Sequence, residues 1–210
     1  MFDAGTLLSY TAAALLLAAA PGPGQMLVLA RSIGGGRAVG VATALGLGVG
    51  SLVHTLAAAV GLSQLLVRSA SVYALVQYLG AAYLVFLGMK ALRARAEVAA
   101  SGAKGGAAGL LPAGARGVIT GILNPKVALF FLAFLPQFVR PERGHVMLQF
   151  VVLGLVFTVL AILGDCTVAL AAGRMSHALS RHPTWAVWRE RAVGAVLVGL
   201  GVKLAFARRS

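Results

Sequence analysis

Long apolar runs, cut by short clusters of Arg, Lys and Gly, set the pattern of this chain. The runs cover about residues 6–30, 38–67, 71–89, 117–139, 146–172 and 192–206. The cuts fall at Arg31 with Gly34, Gly35, Gly36 and Arg37, at Arg68, at Lys90, Arg93 and Arg95, at Arg140 to Arg143, and between Arg174 and Arg191. A membrane helix needs roughly 20 apolar residues, and most of the runs reach that length. Polarity does not alternate along them as it does in the roughly ten-residue strands of a membrane barrel. The pattern predicts six transmembrane helices in one transmembrane domain, residues 1–210. The stretch 99–114, rich in Gly and Ala, reads as the only flexible linker. Trp185 and Trp188 fall in the expected loop between Arg174 and Arg191 and suit a membrane interface.

Composition narrows the class. Hydrophobic residues make up 60% of the 210 and charged residues 11%, with a mean hydropathy of +0.92. A soluble domain carries about 45–50% apolar and about 25% charged residues. The composition excludes a soluble enzyme or binding module. The net charge is +13, from 18 Lys+Arg against 5 Asp+Glu. In a soluble protein that balance would suggest nucleic acid; here it is read as basic loops that orient membrane helices, with no nucleic-acid partner. The first, third and fifth loops hold eleven Lys and Arg, and the opposite side five. The heavier side is expected in the cytoplasm, with both termini outside.

Ala18-Ala19-Ala20 resembles a signal-peptide cleavage site. The residues before the first run are Met1-Phe2-Asp3, acidic rather than basic, and apolar residues resume at Met26. The first run is therefore expected to be a retained helix. Cys166 is the sole cysteine, which leaves no intramolecular disulfide and no Cys-x-x-Cys relay. Four histidines without a cluster give no metal site, and no cofactor motif is present. No catalytic set of nucleophile and base stands out.

The six runs divide into two triplets, about 1–95 and 115–207, joined by a loop of about 96–114. Three is odd, so the second triplet enters the membrane from the opposite side, the inverted-repeat plan of many secondary transporters. The first run of each triplet carries a proline break. In the first, Pro21-Gly22-Pro23-Gly24 removes helix N–H groups and clashes with the preceding turn. Carbonyls near Leu17 to Ala19 should lose partners, and the amides of Gly24, Gln25 and Met26 should open a second half-helix. Such a half-helix start favours anions. A simple kink is the plainer account, but the break recurs at Asn124-Pro125-Lys126. There Asn124, the only asparagine, can cap the half-helix that follows.

Lys126 and Asp165 are ionisable residues inside runs, where they are costly unless paired or hydrated. By helical rise, Pro23, Lys126 and Asp165 lie about 12, 15 and 13 Å from the basic ends of their runs. That shared depth points to one polar site. A purely structural Lys126–Asp165 pair is the alternative. Gly154, Thr158, Ala161 and Asp165 share one helical face, a small-residue stripe expected to face the bundle. His54 lies mid-run with Thr43, Gly46 and Gly50 on its face, either a proton relay or a packing residue. Gly46-x-Gly48-x-Gly50 reads as close helix packing and not as a nucleotide loop. Glycine-faced helices suit a homodimer or tight internal packing equally.

Taken together, Pro21-Gly22-Pro23-Gly24, the run Tyr78-Leu79-Gly80-Ala81-Ala82-Tyr83-Leu84 through Gly88, and Asn124-Pro125-Lys126 with Phe130-Phe131 and Leu135-Pro136-Gln137-Phe138 carry a family resemblance. The chain resembles the LysE/RhtB-type family of bacterial amino-acid exporters over nearly its whole length. The resemblance also covers His54 and Asp165. It implies a multi-pass protein of the bacterial cytoplasmic (inner) membrane that exports amino acids or close analogues, driven by the proton gradient. An exporter or channel for another small solute or a metal ion is the alternative. The expected substrate-binding set is Pro21, Gly22, Pro23, Gly24, Gln25, Asn124, Pro125, Lys126 and Asp165, with Asp165 and His54 for proton coupling. The two triplets are expected to rock against each other.

Overall fold

In the computed structural model, the residues described are 2–20, 22–63, 70–93, 109–181 and 183–206; among them the chain is helical, with no strand. Helix α1, Ala4–Ala19, opens on Asp3, whose extended backbone and Oδ1, 2.8 Å from the Thr6 amide, cap the first turn. Helix α2, Pro23–Gly35, starts with proline at a position where the missing N–H has no partner to lose. It ends at Gly36, whose φ of +87° suits glycine, and α3, Arg37–Ala57, begins at the next residue. A π-helical turn, Ala58–Leu62, prolongs α3. Helix α4 is Ala70–Leu92, and α5 is Leu110–Ile122. Helix α6, Pro125–Leu129, continues through a second π-helical turn, Phe130–Phe134, and a 3-10 turn, Leu135–Phe138. Helix α7, Val146–Arg181, and α8, Pro183–Phe206, complete the chain.

Two segments, Arg37–Leu62 and Val146–Ala172, are long and apolar enough to cross a membrane by themselves. The pairs α1/α2 and α5/α6 are bent by 52° and 42° at their breaks, and each bent pair is a further candidate span. Large apolar side chains such as Leu8, Leu111, Leu123 and Phe206 face outward, as a lipid solvent permits.

The expected loop between Arg174 and Arg191 is instead helical on both sides of residue 182. Hydropathy marks where lipid ends, and a helix can continue beyond that point; Pro183 then starts a new helix as its first residue. Likewise, the last residues of the expected linker, from Leu110, already belong to α5. The remainder of that linker, and the end of the second run at 64–69, lie outside the described residues.

Glycines set the tightest helix contacts. A methyl group at Gly50 of α3 would stand 2.7 Å from the Cα of Gly121 in α5. Gly46 and Gly117 make the same kind of backbone contact, while Gly48 faces Ile162 of α7. A second seam joins α4 to α8, where a methyl at Gly88 would lie 2.6 Å from the Gly194 carbonyl oxygen. Small residues permit such close backbone approach. The apolar core gathers Tyr10, Leu17, Phe130, Phe131, Leu153 and Phe157. Phe130 stacks on Phe157 with centroids 4.7 Å apart, and the buried Tyr10 hydroxyl donates to the Leu153 carbonyl at 2.7 Å. Buried Gln149 fastens the turn before α7 through Arg140 and Gly144.

Candidate transport site

The two helix breaks meet. A methyl at Gly22 would lie 3.4 Å from Cε and Nζ of Lys126, and one at Gly24 would lie 3.5 Å from Nδ2 of Asn124. Glycine at both positions lets the first break approach the second. Each break is stabilised locally. Asn124 is extended, and its Oδ1 accepts from the Lys126 amide at 3.1 Å, capping α6. Proline occupies the first position of α2 and of α6.

Carbonyls at the end of α1 gain side-chain donors at the break, while that of Leu17 also keeps the Ala20 amide at 3.1 Å. Lys126 Nζ donates to the Leu17 oxygen at 3.0 Å and to the Ala20 oxygen at 2.7 Å. Gln25 Nε2 donates to the Ala18 oxygen at 2.7 Å. Ammonium here meets the negative end of the α1 dipole. An ammonium has three N–H donors, so one remains for another acceptor.

A small cavity of about 40 Å³ opens beside this junction, lined among others by Gln25, Ser51, Asn124, Lys126 and Asp165. It would hold roughly three waters, and an amino acid requires it to widen. Asp165 and Lys126 share this cavity without closing to an ion pair of 4.0 Å or less. Asp165 makes no hydrogen bond among the described residues.

Other buried hydroxyls are committed to their own helices: Ser32, Thr43, Thr55 and Thr158 each bond the carbonyl four residues back. Ser51 is buried and lines the cavity, and its hydroxyl has no bond among the described residues.

Of the residues singled out in the sequence, Gly24, Gln25, Asn124, Lys126 and Asp165 come together at this cavity, with Gly22 against Lys126. Pro23 and Pro125 shape the backbone but do not line it. Pro21 lies outside the described residues. His54 does not line this cavity but borders it: its Nε2 is 3.3 Å from the carbonyl oxygen of Gly121, a residue of the cavity wall, and its ring lies 6.0 Å from that of Phe131. Gly154 packs on Thr55 while Ala161 and Asp165 line the cavity, so the small-residue stripe faces inward. Sequence reasoning missed Ser51 and the side-chain role of Gln25. The offset of Ser51 one residue beyond the Gly46-x-Gly48-x-Gly50 series was the available signal for the first.

These features define a helical membrane protein whose paired helix breaks enclose a polar cavity. The chain belongs to the LysE type translocator family, whose model matches residues 15–208. It is 32% identical over 194 residues to an uncharacterized membrane protein of Pseudomonas aeruginosa, PA4757, covering 90% of each chain. It is 32% identical over 211 residues to an uncharacterized membrane protein of Vibrio cholerae, covering 98% of this chain and 99% of the other. A leucine efflux protein of Salmonella typhimurium is 30% identical over 205 residues, covering 94% of this chain and 93% of its own. No solved structure matches.

Proposed function

We propose that this chain is a secondary transporter that exports amino acids across the bacterial cytoplasmic membrane, coupled to protons, with six spans in two inverted triplets. The observation that carries the reading is the meeting of two proline breaks beside a cavity that holds both Lys126 and Asp165. Ionisable groups at such a position are costly, and transporter sites are commonly built from interrupted helices at a repeat interface. Family membership and the leucine efflux relatives support amino acids as the substrate class.

In this reading the substrate carboxylate meets the opened starts of α2 and α6. The remaining Lys126 donor and the Ser51 hydroxyl bind it. The Leu17, Ala18 and Ala20 carbonyls already have donors from Lys126 and Gln25, so the substrate ammonium turns to Asp165. Asp165 carries the proton in exchange. His54, on the carbonyl of Gly121 at the cavity wall, is the second residue of the proton-coupling set.

Proteoliposomes holding the full chain and a panel of labelled amino acids test this. Flux should follow an imposed proton gradient, and Asp165→Asn should abolish the dependence on it. Gradient-driven flux at the wild-type rate in that variant would remove Asp165 from coupling. Absence of amino-acid flux in the wild type would end the export reading.

A further inference from the structure

A second cavity, of about 400 Å³ and open along Ala57, Gly61 and Leu132, is lined in part by His54. Its walls are His54, Ala57, Ala58, Gly61, Leu62, Ala128, Phe131 and Leu132. Apart from His54 the lining is apolar, and Ala57, Ala58, Gly61 and Ala128 leave the room that larger side chains would fill.

This cavity adjoins the polar one. Ser51 and His54 are three residues apart on α3, about 4.5 Å along the axis, and line the two cavities in turn. Val127 and Ala128 do the same on α6. The partition is built from side chains: His54 contacts the Gly121 carbonyl, and Phe131 packs edge-on against Phe157 at 5.4 Å. Gly121 and Phe157 both line the polar cavity.

Both π-helical turns converge here. Ala58, Gly61 and Leu62 come from one, Phe131 and Leu132 from the other. Turns of this kind are rare, well under 1% of residues, and they cluster at functional sites.

We propose that this apolar cavity is a second substrate site that receives the aliphatic side chain of the exported amino acid, with His54 and Phe131 as the partition between it and the polar cavity. The proposal rests on the export reading above and adds a selectivity for leucine-sized side chains. A polar or charged side chain would leave its hydrogen-bonding groups unmatched against this lining.

Gly61 provides the test, because a methyl group there meets nothing within 4 Å. In proteoliposomes, Gly61→Leu should lower the leucine-to-alanine exchange ratio about tenfold relative to wild type. A second measurement uses the Gly61→Cys/Cys166→Ala double variant, whose only thiol lies in the cavity. Its maleimide labelling should slow at least threefold in the presence of leucine, and not with glutamate. An unchanged leucine-to-alanine ratio together with labelling indifferent to leucine overturns the proposal, leaving a crevice filled by lipid chains. A wild-type protein that exchanges neither amino acid overturns the export reading and this site with it. Wild-type exchange of both amino acids with indifferent Gly61 variants overturns this site alone.

Discussion

Lys126 reaches across 106 residues of sequence to place its ammonium 2.7 Å from the carbonyl oxygen of Ala20. With its second bond, to Leu17, it ties the start of one broken helix to the end of another. The same side chain that faces the cavity thus also holds the junction in shape.

Lys126→Met keeps the length of the side chain and removes its donors. The Ala20 carbonyl would be left without a partner, and that of Leu17 would keep only the Ala20 amide, a loss of about 1–3 kcal/mol for a buried polar group. Thermal unfolding in detergent should register the destabilisation, and proteoliposome flux should be lost. A variant as stable as wild type would show that water replaces the ammonium at no cost.

Asn124→Ala removes the oxygen that caps α6. The expected destabilisation is about 1 kcal/mol, measured by denaturant or thermal unfolding. Asn124→Asp retains a capping oxygen and should recover most of that stability.

The seam between α3 and α5 predicts opposite responses to one methyl group. Gly50→Ala forces a methyl against the Gly121 backbone and should destabilise by about 1–3 kcal/mol. Gly164→Ala meets nothing within 4 Å and should be neutral or stabilising by up to about 1 kcal/mol, since alanine suits a helix better than glycine. Paired unfolding measurements decide; equal effects would contradict the contact.

Asp3 predicts a pH dependence. Hydrogen bonds from the Thr6 amide and hydroxyl hold its carboxyl below the usual carboxylate value, aided by Arg140 and Arg143. The guanidinium of Arg143 lies 3.4 Å and that of Arg140 3.7 Å from Oδ2. A folded-state value below the unfolded one makes the contribution complete above the unfolded value, near 3.8, and lost as pH falls through the folded value. Asp3→Ala should therefore be less stable than wild type at pH 7, with the gap narrowing below pH 3.8. Melting curves across pH measure that gap, and one that stayed constant down to the acid limit would refute the assignment.

What the sequence disclosed was local chemistry. Proline cannot continue a helix, so both breaks were legible, and so was Asn124 as a cap. The shared depth of Lys126 and Asp165 follows from helical rise and was legible too. The partner of Lys126 was not, because no local pattern encodes a bond to carbonyls 106 and 109 residues away. The same holds for His54, which periodicity puts on an inward face but cannot assign to one cavity or the other. Helix ends beyond the lipid boundary were hidden because apolar content, the signal used, stops before the hydrogen bonding does. The two π-helical turns leave no compositional mark.

The glycine seams carry a mechanical implication. Main chain pressed against main chain has no side-chain layer to yield, which couples α3 to α5 and α4 to α8 more stiffly than side-chain packing would. Each seam pairs one helix from the first half of the chain with one from the second. A motion that parted the first half of the chain from the second as blocks would have to open both seams.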